Sequence, residues 1–366
     1  MSAIKQKMKQ QQDKLKNLSK RLFDSKSLIL SQQTPYQIIA EWDHIRVRYY
    51  AATERKYLEP LVFVAPLAIN MSIYDLFPYR SLIQYFTQIG FEVYLVDWGE
   101  MNYQHRHLNF LSFVQDYIPQ CIQQIQQHAN SEKISLHGWS MAGIFVMLYT
   151  ARQQPQIVKN LMVLGSPINS YASGYLGKLI QTSNAVIQRS EKLKKTLYSG
   201  KLPTAFIHSP AKLNAIGFKI INPKSWYDGQ KQLLLNLDKT QNLQEHATLA
   251  HFLNHMIDYP GGIVQDMLFN IWLQNPLKNG WIELQDQMIN LKAINCSLLI
   301  GAGTNDQIVT AAAAQPLENL TSSTDVTYRL IPGGHLGLMS SKKSADKFWP
   351  FLADWLKQRS TVLNTA

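Results

Sequence analysis

From Pro60 to the C-terminus the chain alternates short apolar runs with longer amphipathic stretches. PLVFVAP (60–66), FEVYLVDWG (91–99), KISLHG (133–138), VKNLMVLGSP (158–167), CSLLIGAG (296–303) and VTYRLIPGG (326–334) are nearly unbroken apolar runs closed by Gly, Pro or a polar residue. Runs of that kind suit strands covered on both faces of a parallel sheet. Between them, SLIQYFTQIG (81–90), NFLSFVQDYIPQCIQQIQQHA (109–129), GIFVMLYTARQQ (143–154) and SADKFWPFLADWLKQR (344–359) read as helices. Strands alternating with helices predict an α/β architecture, a mostly parallel sheet flanked by helices. Ahead of it, TPYQIIAEWDHIRVRYYA (34–51) alternates and is rich in β-branched and aromatic residues, which predicts an antiparallel edge hairpin.

Two segments break the rhythm. Residues 168–285 are helix-rich and read as a cap or lid inserted over the carboxyl edge of the sheet. Residues 1–33 are Lys- and Gln-rich, without Gly or Pro, and place Ile4, Met8, Leu15, Leu18 and Leu22 at roughly helical spacing. The expected organisation is therefore a basic amphipathic segment (1–33), an α/β core (34–167 and 286–366) and the helical insertion (168–285).

With 366 residues, 46% apolar and 17% charged, the chain has a globular composition. Its formal charge of +11 is concentrated. Residues 1–34 hold eight basic and two acidic side chains, and 178–212 hold seven and one, so the remainder is near neutral. Without basic residues interleaved with aromatics over a face, no nucleic-acid partner is expected. The two cysteines, Cys121 and Cys296, sit in apolar runs and read as buried free thiols rather than a disulfide framework. No apolar window reaches the ~20 residues of a membrane span. The N-terminus lacks the apolar core of a secretory signal, so a cytoplasmic location is expected.

The chemistry-bearing pattern lies where KISLHG runs into Trp139-Ser140-Met141-Ala142-Gly143 and then a helix. A buried strand that turns sharply into a packed helix lifts the residue at its apex above the sheet, and the positions two before and two after it must be small. Gly138 and Ala142 meet that demand. Ser140 is the candidate nucleophile, with the N–H of Met141 at the helix start as an oxyanion donor. A serine hydroxyl needs a base, and the base an orienting acid. In this strand–elbow–helix arrangement both follow late strands, in the order nucleophile, acid, histidine. Asp306 follows CSLLIGAG and His335 follows VTYRLIPGG, each just past a strand's carboxyl end. A second oxyanion donor is expected from Leu67, Ala68 or Ile69, after PLVFVAP. His137 is expected to support the elbow from its strand, and His44, His105, His107, His128 and His208 to lie on edges or surfaces. His246, His251 and His255 are spaced by 5 and 4 but lack an accompanying Cys or carboxylate trio. They read as a helix surface, and no metal site is expected.

These residues resemble the polyhydroxyalkanoate synthases of the α/β-hydrolase superfamily, and in length their short catalytic subunits, which work with a partner subunit. The likeness runs over roughly residues 34–358 and is weakest in the cap. It rests on TPYQIIAEW, on PLAINMSIYDLFPYRSLIQYF with Asp75, Leu76, Arg80, Ser81 and Leu82, on VYLVDWG with Asp97, Trp98 and Gly99, and on GWSMAG, GTNDQIV and IPGGHLG. The resemblance implies an acyltransferase that moves 3-hydroxyacyl groups from coenzyme A thioesters to a polyester through a covalent acyl-enzyme. Ser140, Asp306 and His335 would form its triad, and Ile69 and Met141 would line the oxyanion hole. It departs from the family in carrying Ser140 for the usual cysteine and Ala142-Gly143 for Gly-Gly. A serine hydrolase (esterase, thioesterase or intracellular depolymerase) and a granule-surface binding protein with little turnover stand beside that reading. Lys192, Lys194 and Lys195 are candidates to meet the phosphates of coenzyme A, which enters as part of the substrate with no other cofactor expected. The 1–33 segment is the candidate contact to an accessory subunit or a granule surface. A homodimer is the remaining partner expectation.

Overall fold

The computed structural model describes residues 3–67, 69–153, 156–221 and 223–363, with the backbone alone at 3, 4, 218–221 and 223–228. Its main sheet contains β1 (Gln37–Trp42), β2 (Ile45–Tyr50), β3 (Leu61–Val64), β4 (Val93–Asp97), β5 (Ile134–Trp139) and β6 (Val158–Leu164). After the hairpin β7 (Trp281–Leu284) and β8 (Gln287–Asn290) it is completed by β9 (Ser297–Gly303) and β10 (Val326–Ile331). The order across it is β1-β2-β4-β3-β5-β6-β9-β10. β2 runs antiparallel to both its neighbours, and every other pairing is parallel.

Burial explains why the apolar runs became these strands. Every residue of β3, β4 and β5 is buried, as parallel strands covered by helices on both faces must be. The helix Met141–Arg152 packs on β5 and β6 and is apolar nearly all round; each of its residues from Met141 to Ala151 is buried. The helix Lys342–Lys357 buries only one stripe, including Phe348, Trp349, Leu352 and Leu356. The chain 34–51 forms the β1–β2 hairpin at the sheet edge, as its alternation predicts.

Between β6 and β9 the chain is mainly helical, with Gly174–Gln188, Ala211–Ile221, Pro223–Leu235, Thr240–Asn254 and the π-helical Gln265–Leu273. It then forms the β7–β8 hairpin, which the helical reading of this segment did not contain. The boundary expected at 285 falls in that hairpin's turn, where Gln285 (φ 48°) and Asp286 (φ 63°) both take left-handed backbone. Such a turn usually announces itself with Asn-Gly or Asp-Gly, and Gln-Asp carries no such signal.

The N-terminal segment is helical over Ala3–Phe23 and does not stand alone. Asn17 donates to the Leu237 carbonyl (2.7 Å) and accepts from the Thr240 hydroxyl (3.1 Å). Leu28 is buried against Leu233 and Leu243. Met8, Leu15, Leu18 and Leu22 nevertheless remain exposed. Among the described residues no helix is long and apolar enough to cross a membrane.

Candidate active site

The turn between β5 and the helix Met141–Arg152 is built by exclusion of side chains. A Cβ on Gly138 would meet the Ala142 carbonyl oxygen at 2.4 Å, and one on Gly143 would meet Ser166 Oγ at 1.9 Å. With those positions bare, Ser140 takes φ 58°, ψ −127°, a conformation that L-residues hold only when their surroundings fix it. Two contacts do so. The Ser140 N–H donates to the Leu164 carbonyl of β6 (2.8 Å), and Ser166 Oγ donates to the Ser140 carbonyl (2.8 Å).

His335 and Asp306 arrive from the loops after β10 and β9, which are adjacent parallel strands in register from Val326↔Leu298 to Ile331↔Gly303. Both loops therefore leave the same edge of the sheet. His335 Nε2 lies 2.9 Å from Ser140 Oγ, and His335 Nδ1 lies 2.6 Å from Asp306 Oδ2. The other oxygen, Asp306 Oδ1, accepts from the N–H groups of Ile308 and Val309, both at 2.9 Å, which fixes the carboxylate's orientation. Asp306 is 5% exposed and His335 7%, so their contact is shielded from water, whereas Ser140 is half-buried and reachable. With a carboxylate on Nδ1, the imidazole carries its proton there and turns the Nε2 lone pair to the hydroxyl, the arrangement a general base needs. The indole of Trp139 packs against the His335 ring, with centroids 5.2 Å apart.

Met141 is the first residue of its helix, so its N–H has no intrahelical partner. Leu67 and Ile69 are buried in the loop after β3, and Ala68 lies outside the described residues. That loop is pinned from both ends. Tyr259 donates to the Leu67 carbonyl (3.3 Å), and Asn70 Nδ2 donates to the His255 carbonyl (3.0 Å). Lys192, Lys194 and Lys195 lie on the short helix Glu191–Leu197, where Lys194 faces Glu191 at 3.5 Å. No hydrogen bond or ion pair joins any of the three to Ser140, Asp306 or His335.

Sequence reasoning missed Ser166, Tyr259 and the packing of Trp139 on His335. The glycines flanking the elbow signalled a tight turn, but nothing local marks Ser166 as the residue touching Ser140. His137 is where it was expected, buried in β5 between Phe63 (ring centroids 4.7 Å) and Tyr74 (5.8 Å). His44 and His208, expected at edges or surfaces, have side chains only 7% exposed. Both cysteines are free thiols; burial pushes that of Cys121 up, and that of Cys296 up to about 12.

Residues 68–342 match the model of the alpha/beta hydrolase fold family. Among solved structures, the monoacylglycerol lipase of Paleococcus ferrophilus superposes with a TM-score of 0.54 at 15% identity, over 87% of this chain and 100% of that one. Among characterised sequences, the poly(3-hydroxyalkanoate) polymerase subunit PhaC of Haloferax mediterranei is 27% identical over 331 residues, 90% of this chain. The match spans 65% of that relative's own length, just under two thirds. The subunit of Allochromatium vinosum is 26% identical over 82% of this chain and 81% of its own length. That of Synechocystis sp. is 26% identical over 89% of this chain and 85% of its own. A sheet with β2 reversed, an elbow between β5 and its helix, and the family match agree: the chain belongs to the alpha/beta hydrolase fold family, and across most of its length it is similar to the PhaC subunits of poly(3-hydroxyalkanoate) polymerases.

Proposed function

We propose that the protein is an acyltransferase of the polyhydroxyalkanoate synthase type, in which Ser140, His335 and Asp306 act as a catalytic triad on 3-hydroxyacyl thioesters of coenzyme A. The observation that carries the reading is the unbroken contact from Ser140 Oγ to His335 Nε2 (2.9 Å) and from His335 Nδ1 to Asp306 Oδ2 (2.6 Å). In the first half-reaction His335 Nε2 takes the hydroxyl proton as Ser140 Oγ attacks the thioester carbonyl. The N–H groups of Met141 and Ile69 receive the oxyanion. Collapse breaks the carbon–sulfur bond, and the departing thiolate takes the proton from His335. In the second half-reaction the hydroxyl of another 3-hydroxyacyl unit gives its proton to His335 and attacks the Ser140 ester. An ester bond forms, and the proton returns to Ser140 Oγ. The helical segment 168–285 acts as a cap over this centre, and the cations Lys192, Lys194 and Lys195 meet the phosphates of coenzyme A.

A second reading has a specific observation in its favour: the nucleophile is a serine. A thiolate leaves readily and suits repeated acyl hand-over, whereas a serine ester depends wholly on the base. Water in place of the acceptor hydroxyl would make the same centre a hydrolase. Incubation with 3-hydroxybutyryl-CoA, measuring free CoA, free acid and polymer together, decides. CoA release matched by polymer supports transfer, CoA release matched by free acid supports hydrolysis, and no CoA release overturns both.

The basic helix Ala3–Phe23 keeps Met8, Leu15, Leu18, Leu22 and Phe23 exposed, which suits contact with a granule surface or an accessory subunit. Removing residues 1–23 leaves Leu28 in its pocket, so soluble turnover should persist while sedimentation with granules is lost. Undiminished sedimentation would sink that role.

A further inference from the structure

Away from the triad lies a polar cavity of about 710 Å³. Its wall comes from the chain after β4 near His107 and Asn109, the coil at 198–204, the π-helix Gln265–Leu273 and the β7–β8 hairpin. Ser140, Asp306 and His335 take no part in that wall. Close packing holds two of its sides together. A Cβ on Gly262 would meet the Leu108 carbonyl oxygen at 2.4 Å, so the chain entering the π-helix sits directly on the segment after β4. We infer that this cavity is a binding site for an aliphatic diamine or polyamine, held by Gln265 and Asp266 at its floor and by Glu283 and Asp286 at its rim.

Two neighbouring acceptors make the floor. Asp266 is 6% exposed, and its oxygens accept one bond each, from the Phe110 N–H and from Asn270 Nδ2, both at 2.8 Å. An ionised carboxylate offers about four lone-pair directions, so each oxygen keeps room for another donor. Burial raises the pKa of this group to about 6, and no cation among the described residues offsets it. At pH 7 it is therefore mostly a buried, uncompensated anion. Gln265 is more deeply buried, at 3% exposed. Its Nε2 donates to the Leu197 carbonyl (3.0 Å), and its Oε1 meets no hydrogen-bonding partner among the described residues. A lone carbonyl oxygen beside a lone anion gains most from a donor that carries positive charge. The π-helical winding that brings both side chains to the cavity is rare and recurs at functional sites.

The rim adds charge and an aromatic face. β7 alternates exposed and buried residues, so Trp281 and Glu283 share its exposed side, and Asp286 follows in the turn. All three line the cavity. Carboxylates at both floor and rim suit a ligand with a positive charge at each end, and an indole suits the ammonium or the methylenes between them. Lys201 and His107 also line the cavity, but both are exposed. Three carboxylates against Lys201 disfavour phosphates, so this is not a second place for coenzyme A. Nor does the chain attract polyamines at large, because its net charge is +11. Saturable binding of one must therefore come from a local acidic wall such as this.

The test titrates the full chain with spermidine, with n-butylamine and with triethylene glycol, at about 0.15 M salt, by calorimetry. Spermidine should fill one site with a Kd below about a millimolar. The monoamine should bind at least tenfold more weakly, and the neutral glycol should give no saturable heat. Asp266→Asn removes the charge at the floor and should weaken spermidine at least tenfold. Because Asp266 also holds the Phe110 N–H, a second variant relies on exposed positions alone. Glu283→Gln with Asp286→Asn should weaken spermidine several-fold and leave n-butylamine unchanged. In a labelled sample the side-chain amide of Gln265 should shift on loading. The inference is overturned if the wild type binds spermidine no more tightly than about a millimolar, if triethylene glycol matches it, or if the folded variants bind it as the wild type does. None of these readouts passes through the triad.

Discussion

At Asp306 the two carboxylate oxygens do different work. Oδ1 is spent on the N–H groups of Ile308 and Val309, and Oδ2 alone faces His335. Asp306→Asn can keep the first pair only by turning its amide nitrogen towards His335 Nδ1. The imidazole then accepts there and carries its proton on Nε2, facing Ser140 as a donor. CoA release from 3-hydroxybutyryl-CoA should fall by roughly 10³–10⁴-fold with little change in Tm, and a fall of less than tenfold would remove Asp306 from the triad. Ser140→Cys asks a separate question. A thiol beside His335 ionises more readily than a hydroxyl and forms a more reactive acyl intermediate. The ratio of polymer to free acid should rise in the variant, and an unchanged ratio would show that the nucleophile does not set the partition.

At the scale of elements the elbow depends on close approach. Gly138→Ala puts a methyl group 2.4 Å from the Ala142 carbonyl, so β5 or the following helix must shift. A displacement of about an ångström at Ser140 should cost roughly 10²-fold in kcat. Ala142→Gly, which adds no atoms, should retain activity and serves as the matched control; equal activity in both variants would contradict the close-packed elbow. This element was legible because its demands are local: an apolar strand, a small residue on each side of the apex, an apolar helix. Asp306 and His335 were legible because each follows a strand with a clear apolar run. Ser166 was not, since it meets Ser140 only because β6 lies beside β5, an adjacency that no local pattern carries. The β7–β8 hairpin was hidden by a turn without glycine or asparagine.

For the molecule as a whole, two buried groups set opposing responses to acid. His137 is fully buried with neither ring nitrogen bonded among the described residues, and burial lowers its pKa from 6.5 to about 3. Between those values the unfolded chain holds a proton that the native state does not. Stability from this group is full above pH 6.5 and is lost as the pH falls, by about 1.4 kcal/mol per unit. Asp266 behaves in the reverse sense. Burial raises its pKa from 3.8 to about 6, although its oxygens accept from the Phe110 N–H and from Asn270. Between 3.8 and about 6 the native state holds the extra proton, so this contribution is present at low pH and lost as the pH rises through about 6. The two slopes cancel over most of the interval from pH 4 to 6. The lowered pKa values of His105, His246 and His251, each set mainly by burial, add to the His137 slope, so the wild type should lose stability as the pH falls through this interval, read by urea unfolding at half-unit steps. Removing either group exposes the other. As the pH falls from 6 to 4, His137→Leu should lose less stability than the wild type and Asp266→Asn should lose more. Both slopes are differences within one variant, so an overall loss of stability from either substitution leaves them readable. Parallel profiles for all three proteins would mean that neither burial governs the acid response.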